Sequence, residues 1–122
     1  MISDPQLITG VVRDYFEGWF EGDADRMERA LHSGLAKRSL GQVDRASRNL
    51  HMSTKKQMLA WTAAGEGKSE DPGRDRTIGI EIIDLHGNIA SVVVRSPIYR
   101  EYLHLVRTDA GWKIVNALWH YT

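Results

Sequence analysis

The chain has 122 residues, 42% hydrophobic and 26% charged, with 16 basic against 16 acidic side chains and no cysteine. That length predicts a single domain over 1–122, long enough to bury a core without disulfide or metal staples. Zero formal charge argues against an electrostatic nucleic-acid binder, and lack of cysteine excludes disulfides, thiolate catalysis and cysteine-ligated zinc.

No apolar run approaches the roughly 20 residues of a membrane span. No basic-then-apolar leader follows Met1, so the expectation is a cytoplasmic protein. Leu7, Ile8, Val11, Val12, Tyr15, Phe16, Trp19 and Phe20 recur at helical spacing as one wide apolar stripe. Ser3 and Gln6 have capping-box spacing, and Asp4 before Pro5 is an equally good start. Gly22 ends that helix, and Asp23 caps a second, short one reaching about Leu31. From Leu35 to Leu50 the pattern weakens, with Gly41 as a turn between two short strands. Thr54 and Gln57 form another capping box, opening a helix that carries Met58, Leu59 and Trp61.

Ala64 to Arg74 holds three glycines, one proline and five charges, and reads as a loop. It is either a plain connector or a cover over something. Ile78, Ile80 and Ile82 then alternate, the chain turns at Leu85-His86-Gly87, and Ala90, Val92 and Val94 alternate back. A type I turn with a bulge at Gly87 would set Ile82 against Ala90 and Ile80 against Val92. A similar turn at Asp109-Ala110-Gly111 sets Val106 against Ile114, His104 against Asn116 and Tyr102 against Leu118. Leu103 and Leu105 then oppose Val115 and Ala117, with Glu101 beside Trp119. Both faces of this hairpin are largely apolar, so one covers the helices and the other needs a second cover, most simply a partner chain.

Tyr15-Phe16-Glu17-Gly18-Trp19 with Gly22-Asp23, then Leu31-His32, open a recognisable pattern. Tyr102-Leu103-His104-Leu105 with Gly111-Trp112-Lys113-Ile114-Val115-Asn116 through Trp119 close it. Their order and spacing resemble the "putative lumazine-binding" branch of the nuclear-transport-factor-2-like superfamily, which also holds SnoaL-like cyclases and ketosteroid isomerase. The resemblance runs from about residue 7 to about residue 119. It implies an α+β cone: a strongly bent, mostly antiparallel sheet wrapped round a long N-terminal helix, with two further short helices. It also implies a pocket in the cone and homodimers paired sheet to sheet. It implies no particular reaction, since enzymes, carriers and interaction domains share the fold.

Of the five histidines, none has metal-ligand spacing, and no metal is expected. His104, on one strand face with Tyr102 and Asn116, is a candidate general acid or base. Asn116 would fix its tautomer or polarise a carbonyl; the alternative is a cross-strand His–Asn hydrogen bond with no further role. His32 is either a second acid/base at the cone mouth or a cap at the end of the second helix. Glu101 is flanked by apolar neighbours and could pair with Arg100, Arg95 or a partner chain. Trp19, Trp61, Tyr102 and Trp119 offer aromatic surface for a flat ligand, or are core. No phosphate-binding motif is present, and no cofactor is expected. Three functions follow: a homodimeric binder of a small apolar or planar organic molecule, an isomerase-, dehydratase- or cyclase-type enzyme using His104 or His32, or a non-catalytic dimerisation module.

Overall fold

The computed structural model describes residues 2–40, 48–69, 73 and 75–122. Helix α1 spans Asp4–Glu21, and its first turn is closed reciprocally. The Ser3 hydroxyl accepts from Gln6 N, and Gln6 Oε1 accepts from Ser3 N at 2.9 Å. The last turn is closed by Gly22 at φ 71°, where Asp23 N donates to the Gly18 carbonyl at 2.8 Å. Asp23 then caps α2 (Ala24–Ala30) through two backbone amides. Arg26 of α2 reaches back to Asp14 at 2.9 Å and Glu17 at 2.8 Å, fastening α2 to the polar side of α1. The apolar side of α1, with Ile8, Val12, Tyr15, Phe16 and Phe20 buried, faces the sheet. Each fully buried aliphatic of this kind is worth about 1.5–3 kcal/mol.

Six strands form one curved, open, mixed sheet in the order β2-β1-β6-β5-β4-β3. They are β1 (Leu31–Leu40), β2 (Leu50–Ser53), β3 (Gly79–His86), β4 (Ile89–Arg95), β5 (Tyr99–Thr108) and β6 (Gly111–Tyr121). All pairs are antiparallel except β1 with β6. Helix α3 (Lys55–Ala63) starts at the Thr54–Gln57 capping box. A third short helix, α4 (Glu66–Ser69), lies within the segment expected to be loop. The expected turn at Gly41 lies outside the described residues.

Two registers differ locally from expectation for one reason. The β3–β4 hairpin turns through Gly87 and Asn88 alone, so His86 pairs with Ile89, and Ile82 faces Val92 rather than Ala90. The extra residue is taken up by a bulge at Ile83. At the other hairpin His104 faces Asn116, Tyr102 faces Leu118 and Glu101 faces Trp119 as expected. Nearer the turn Thr108 pairs with Gly111, and a bulge at Val115 sets Leu105, not Val106, against Ile114. The bulge at Ile83 leaves the core-facing set of its hairpin unchanged, with Val92 and Val94 buried. The bulge at Val115 exchanges two residues: Ile114 turns into the core with Leu103, Leu105 and Ala117, and Val115 joins the outer face with the exposed Tyr102, His104, Asn116 and Leu118.

Candidate functional site

A cavity of about 560 Å³ opens between α1, the inner face of β1, β5 and β6, and the helices α3 and α4. Its walls are aromatic: Tyr15, Phe16 and Trp19 from α1, Trp61 from α3, Tyr99 from β5, and Trp119 and Tyr121 from β6. Tyr99, Trp119 and Tyr121 brace one another, with Trp119 edge-on to both tyrosines. The Trp19 indole N–H donates to the Tyr99 hydroxyl at 3.3 Å, locking the helix wall to the sheet wall.

Strand pairing places the polar groups of the cavity. Lys37 of β1 lies beside Ala117 of β6, and one row along, Glu101 of β5 lies beside Trp119. Both point to the inner face and are buried, Lys37 at 8% exposure and Glu101 at 2%. Tyr15 bridges them from α1. Its hydroxyl donates to Glu101 Oε2 at 2.5 Å and accepts a hydrogen bond from Lys37 Nζ. The Lys37 ammonium also stands 4.8 Å from the Tyr15 ring centroid and 5.6 Å from that of Trp119.

Burial raises the Glu101 carboxyl above the ordinary glutamate range; the Lys37 charge and the Tyr15 hydroxyl pull it down without cancelling that rise. Burial, and then the charge and hydrogen bond of Glu101, hold the Tyr15 hydroxyl well above its ordinary value. Tyr15 therefore keeps its proton near neutral pH and acts as a donor. A lysine, a tyrosine and a glutamate form a short hydrogen-bonded chain along a wall of an otherwise aromatic cavity.

The residues singled out from sequence separate into two groups. Trp19, Trp61 and Trp119 line the cavity together. Tyr102, His104 and Asn116 lie on the outer face of the sheet, where the Asn116 amide and His104 Nδ1 are 3.2 Å apart. His104 and Asn116 border a separate groove of about 380 Å³ with Asp84, His86 and Ser91. His32 is not the end of a helix: α2 stops at Ala30, and His32 sits in β1, where its Nδ1 accepts from Gly34 N at 2.9 Å. Glu101 bonds Tyr15 rather than Arg100 or Arg95, and Arg95 pairs with Glu81 at 2.6 Å. Trp112 lies apart, donating to Asp4 at the start of α1. Among the described residues no group of three metal-ligating side chains comes together, and no helix is long and apolar enough to cross a membrane.

Sequence reading passed over Lys37 and read Tyr15 as core. The available signal was parity: Lys37 alternates with buried Leu35 and Ser39, and Glu101 with buried Tyr99, Leu103 and Leu105. A charged residue at such a position requires a buried partner.

The family profile described as "Putative lumazine-binding" matches residues 3–120. A crystal structure of an NTF-2-like protein of unknown function from Silicibacter pomeroyi is similar, with TM-score 0.74 at 16% identity, covering 99% of this chain and 100% of that one. An NTF2-like protein from Cytophaga hutchinsonii matches with TM-score 0.72 at 14% identity, covering 99% and 100%. One of unknown function from Shewanella baltica matches with TM-score 0.69 at 15% identity, covering 97% and 93%. Among curated proteins none matches. The chain belongs to the family described as "Putative lumazine-binding" and has the NTF2-like fold.

Proposed function

Taking that membership as the premise, we propose that the protein binds a small planar organic molecule in the cavity between α1 and the sheet. One observation carries this: three of the four tryptophans wall a cavity of about 560 Å³, inside the roughly 300–1,000 Å³ range of small-molecule sites. A space of that size also speaks against a module whose cone is filled by its own side chains. The test is a thermal-shift panel of lumazines, pterins, flavins, steroids and small polyketides. A ligand at a hundred times its dissociation constant adds about 2.7 kcal/mol, several degrees in a domain of this size. A hit should be weakened by Trp61→Ala and Trp119→Ala. Unchanged affinity in both would remove the ligand from this cavity.

A second reading, an isomerase- or dehydratase-type enzyme, is favoured by the convergence of Lys37, Tyr15 and Glu101 on one wall. In it Glu101 serves as the acid/base, rather than His104 or His32. Incubating a panel hit with the native protein and with Glu101→Gln, and following product or solvent-deuterium incorporation, tests it. Turnover that survives the substitution would exclude Glu101.

We also propose a homodimer formed through the outer sheet face. Tyr102 and Leu118 face one another there, each 49% exposed, and Met52 beside Arg38 extends the apolar row.

A further inference from the structure

We propose that the cavity selects an uncharged heterocycle carrying a ring N–H, which it donates to Glu101 Oε1. The inference rests on the reading of the cavity as a ligand site and names the polar edge of that ligand.

Four observations lead to it. Tyr15 occupies only Oε2 of the carboxylate, and among the described residues nothing donates to Oε1. Glu101 is 2% exposed yet lines the cavity, so the open oxygen faces the cavity rather than bulk water. A carboxylate oxygen is an acceptor only, and a ligand that displaces cavity water from it without offering a donor forfeits that hydrogen bond. A ligand N–H would supply that donor.

The acceptor is also held in place. The Tyr15 hydrogen bond, itself backed by Lys37, orients the carboxylate before any ligand arrives. Glu101 is the cross-strand neighbour of Trp119. Directly opposed side chains stand about 4.5–5.5 Å apart at Cβ, so a flat ring lying against Trp119 brings its edge to the carboxylate. The Lys37 and Glu101 charges offset one another on this wall, which favours a neutral ring there, and Glu66 of α4, a further acid in the lining, disfavours an anion. An anion would meet Glu101, and a cation would meet Lys37.

Lumazine and its 1,3-dimethyl derivative provide the test, because methylation removes the two ring N–H donors of the dione ring and leaves the bicycle flat. Binding of each to the native protein is measured by calorimetry and by quenching of the cavity tryptophans. Lumazine is expected to bind about tenfold or more tightly than the dimethyl compound, the size of one charge-assisted hydrogen bond. In Glu101→Gln that preference should shrink, and the circular dichroism spectrum checks that the variant is folded. Equal affinities in the native protein would overturn the role of Glu101 while leaving the cavity as a ligand site. A preference undiminished in Glu101→Gln would assign it to methyl bulk and overturn the inference equally. Binding of neither compound would overturn both the inference and the planar-heterocycle reading beneath it.

Discussion

Replacing Tyr15 by phenylalanine removes one oxygen atom and leaves the ring packing intact, so its effect isolates the hydrogen-bonded chain in the cavity wall. The hydroxyl is engaged twice: it donates to Glu101 Oε2 and accepts from Lys37. Each bond involves an ionisable partner, and such bonds contribute about 1.5–3 kcal/mol each. Both partners are buried, so simple loss of the two would cost about 3–6 kcal/mol. Access of water to the cavity beside them offsets part of this, and about 2–4 kcal/mol is the expected destabilisation at neutral pH. With a urea m-value of about 1–3 kcal/mol/M, the midpoint should fall by about 1 M or more. A double-mutant cycle with Glu101→Gln should give a coupling of about 1–3 kcal/mol, since the residues are in direct contact. A Tyr15→Phe protein within about 0.5 kcal/mol of native, with no coupling, would refute the buried chain.

Three further outcomes follow from the same geometry. A Cβ at Gly67 would stand 2.2 Å from the Trp19 carbonyl oxygen and 2.7 Å from its indole; Gly67→Ala should therefore push α4 off the cavity, costing about 1–3 kcal/mol, with a red-shifted tryptophan emission as the check. Burial raises the Glu101 carboxyl above its ordinary 4.5, so the native state holds more protons than the unfolded chain from that value up to the folded pKa. Native stability relative to Glu101→Gln should then fall as pH rises through this window, and urea titrations showing a constant or rising difference would contradict the assignment. Leu118→Asp places a charge in the proposed sheet-to-sheet interface and should yield monomers in sedimentation equilibrium while the native protein is dimeric; identical mass for both proteins would remove the interface.

The parts of this fold that depend on short stretches of chain were legible in the sequence. Ser3 with Gln6, Thr54 with Gln57, and Asp23 each satisfy amides two or three residues away, so their spacing marks the helix starts. Strand faces were legible wherever alternation is unbroken, and failed at the Val115 bulge, where Ile114 and Val115 lie on the faces opposite to those expected. The register was legible in the part of β5 and β6 far from their turn, where His104 faces Asn116 and Tyr102 faces Leu118, and not beside the Gly111 turn or between β3 and β4. A two-residue turn at Gly87-Asn88 with a bulge at Ile83 moved the partner of Ile82 by two residues and kept it on the same face. His32 was misplaced because α2 passes into β1 at Leu31 with no intervening loop signal.

The candidate site was half legible for a related reason. Trp19, Trp61 and Trp119 stand out by residue type alone. The Tyr15–Glu101 contact spans 86 positions and the Lys37–Tyr15 contact 22. Lys37 and Glu101 sit on strands separated by β6, so no cross-strand pairing rule joins them. Their connection runs through a helix whose packing on the sheet exists only once the chain is folded.

On this reading, ligand enters the aromatic cavity and not the outer groove. A crystal structure of the protein soaked with a panel hit decides this most directly. Planar density is expected against Trp19, Trp61 and Trp119, with a ring nitrogen within hydrogen-bonding distance of Glu101. Density seated instead beside His104 and Asn116, with the inner cavity holding only water, would contradict it.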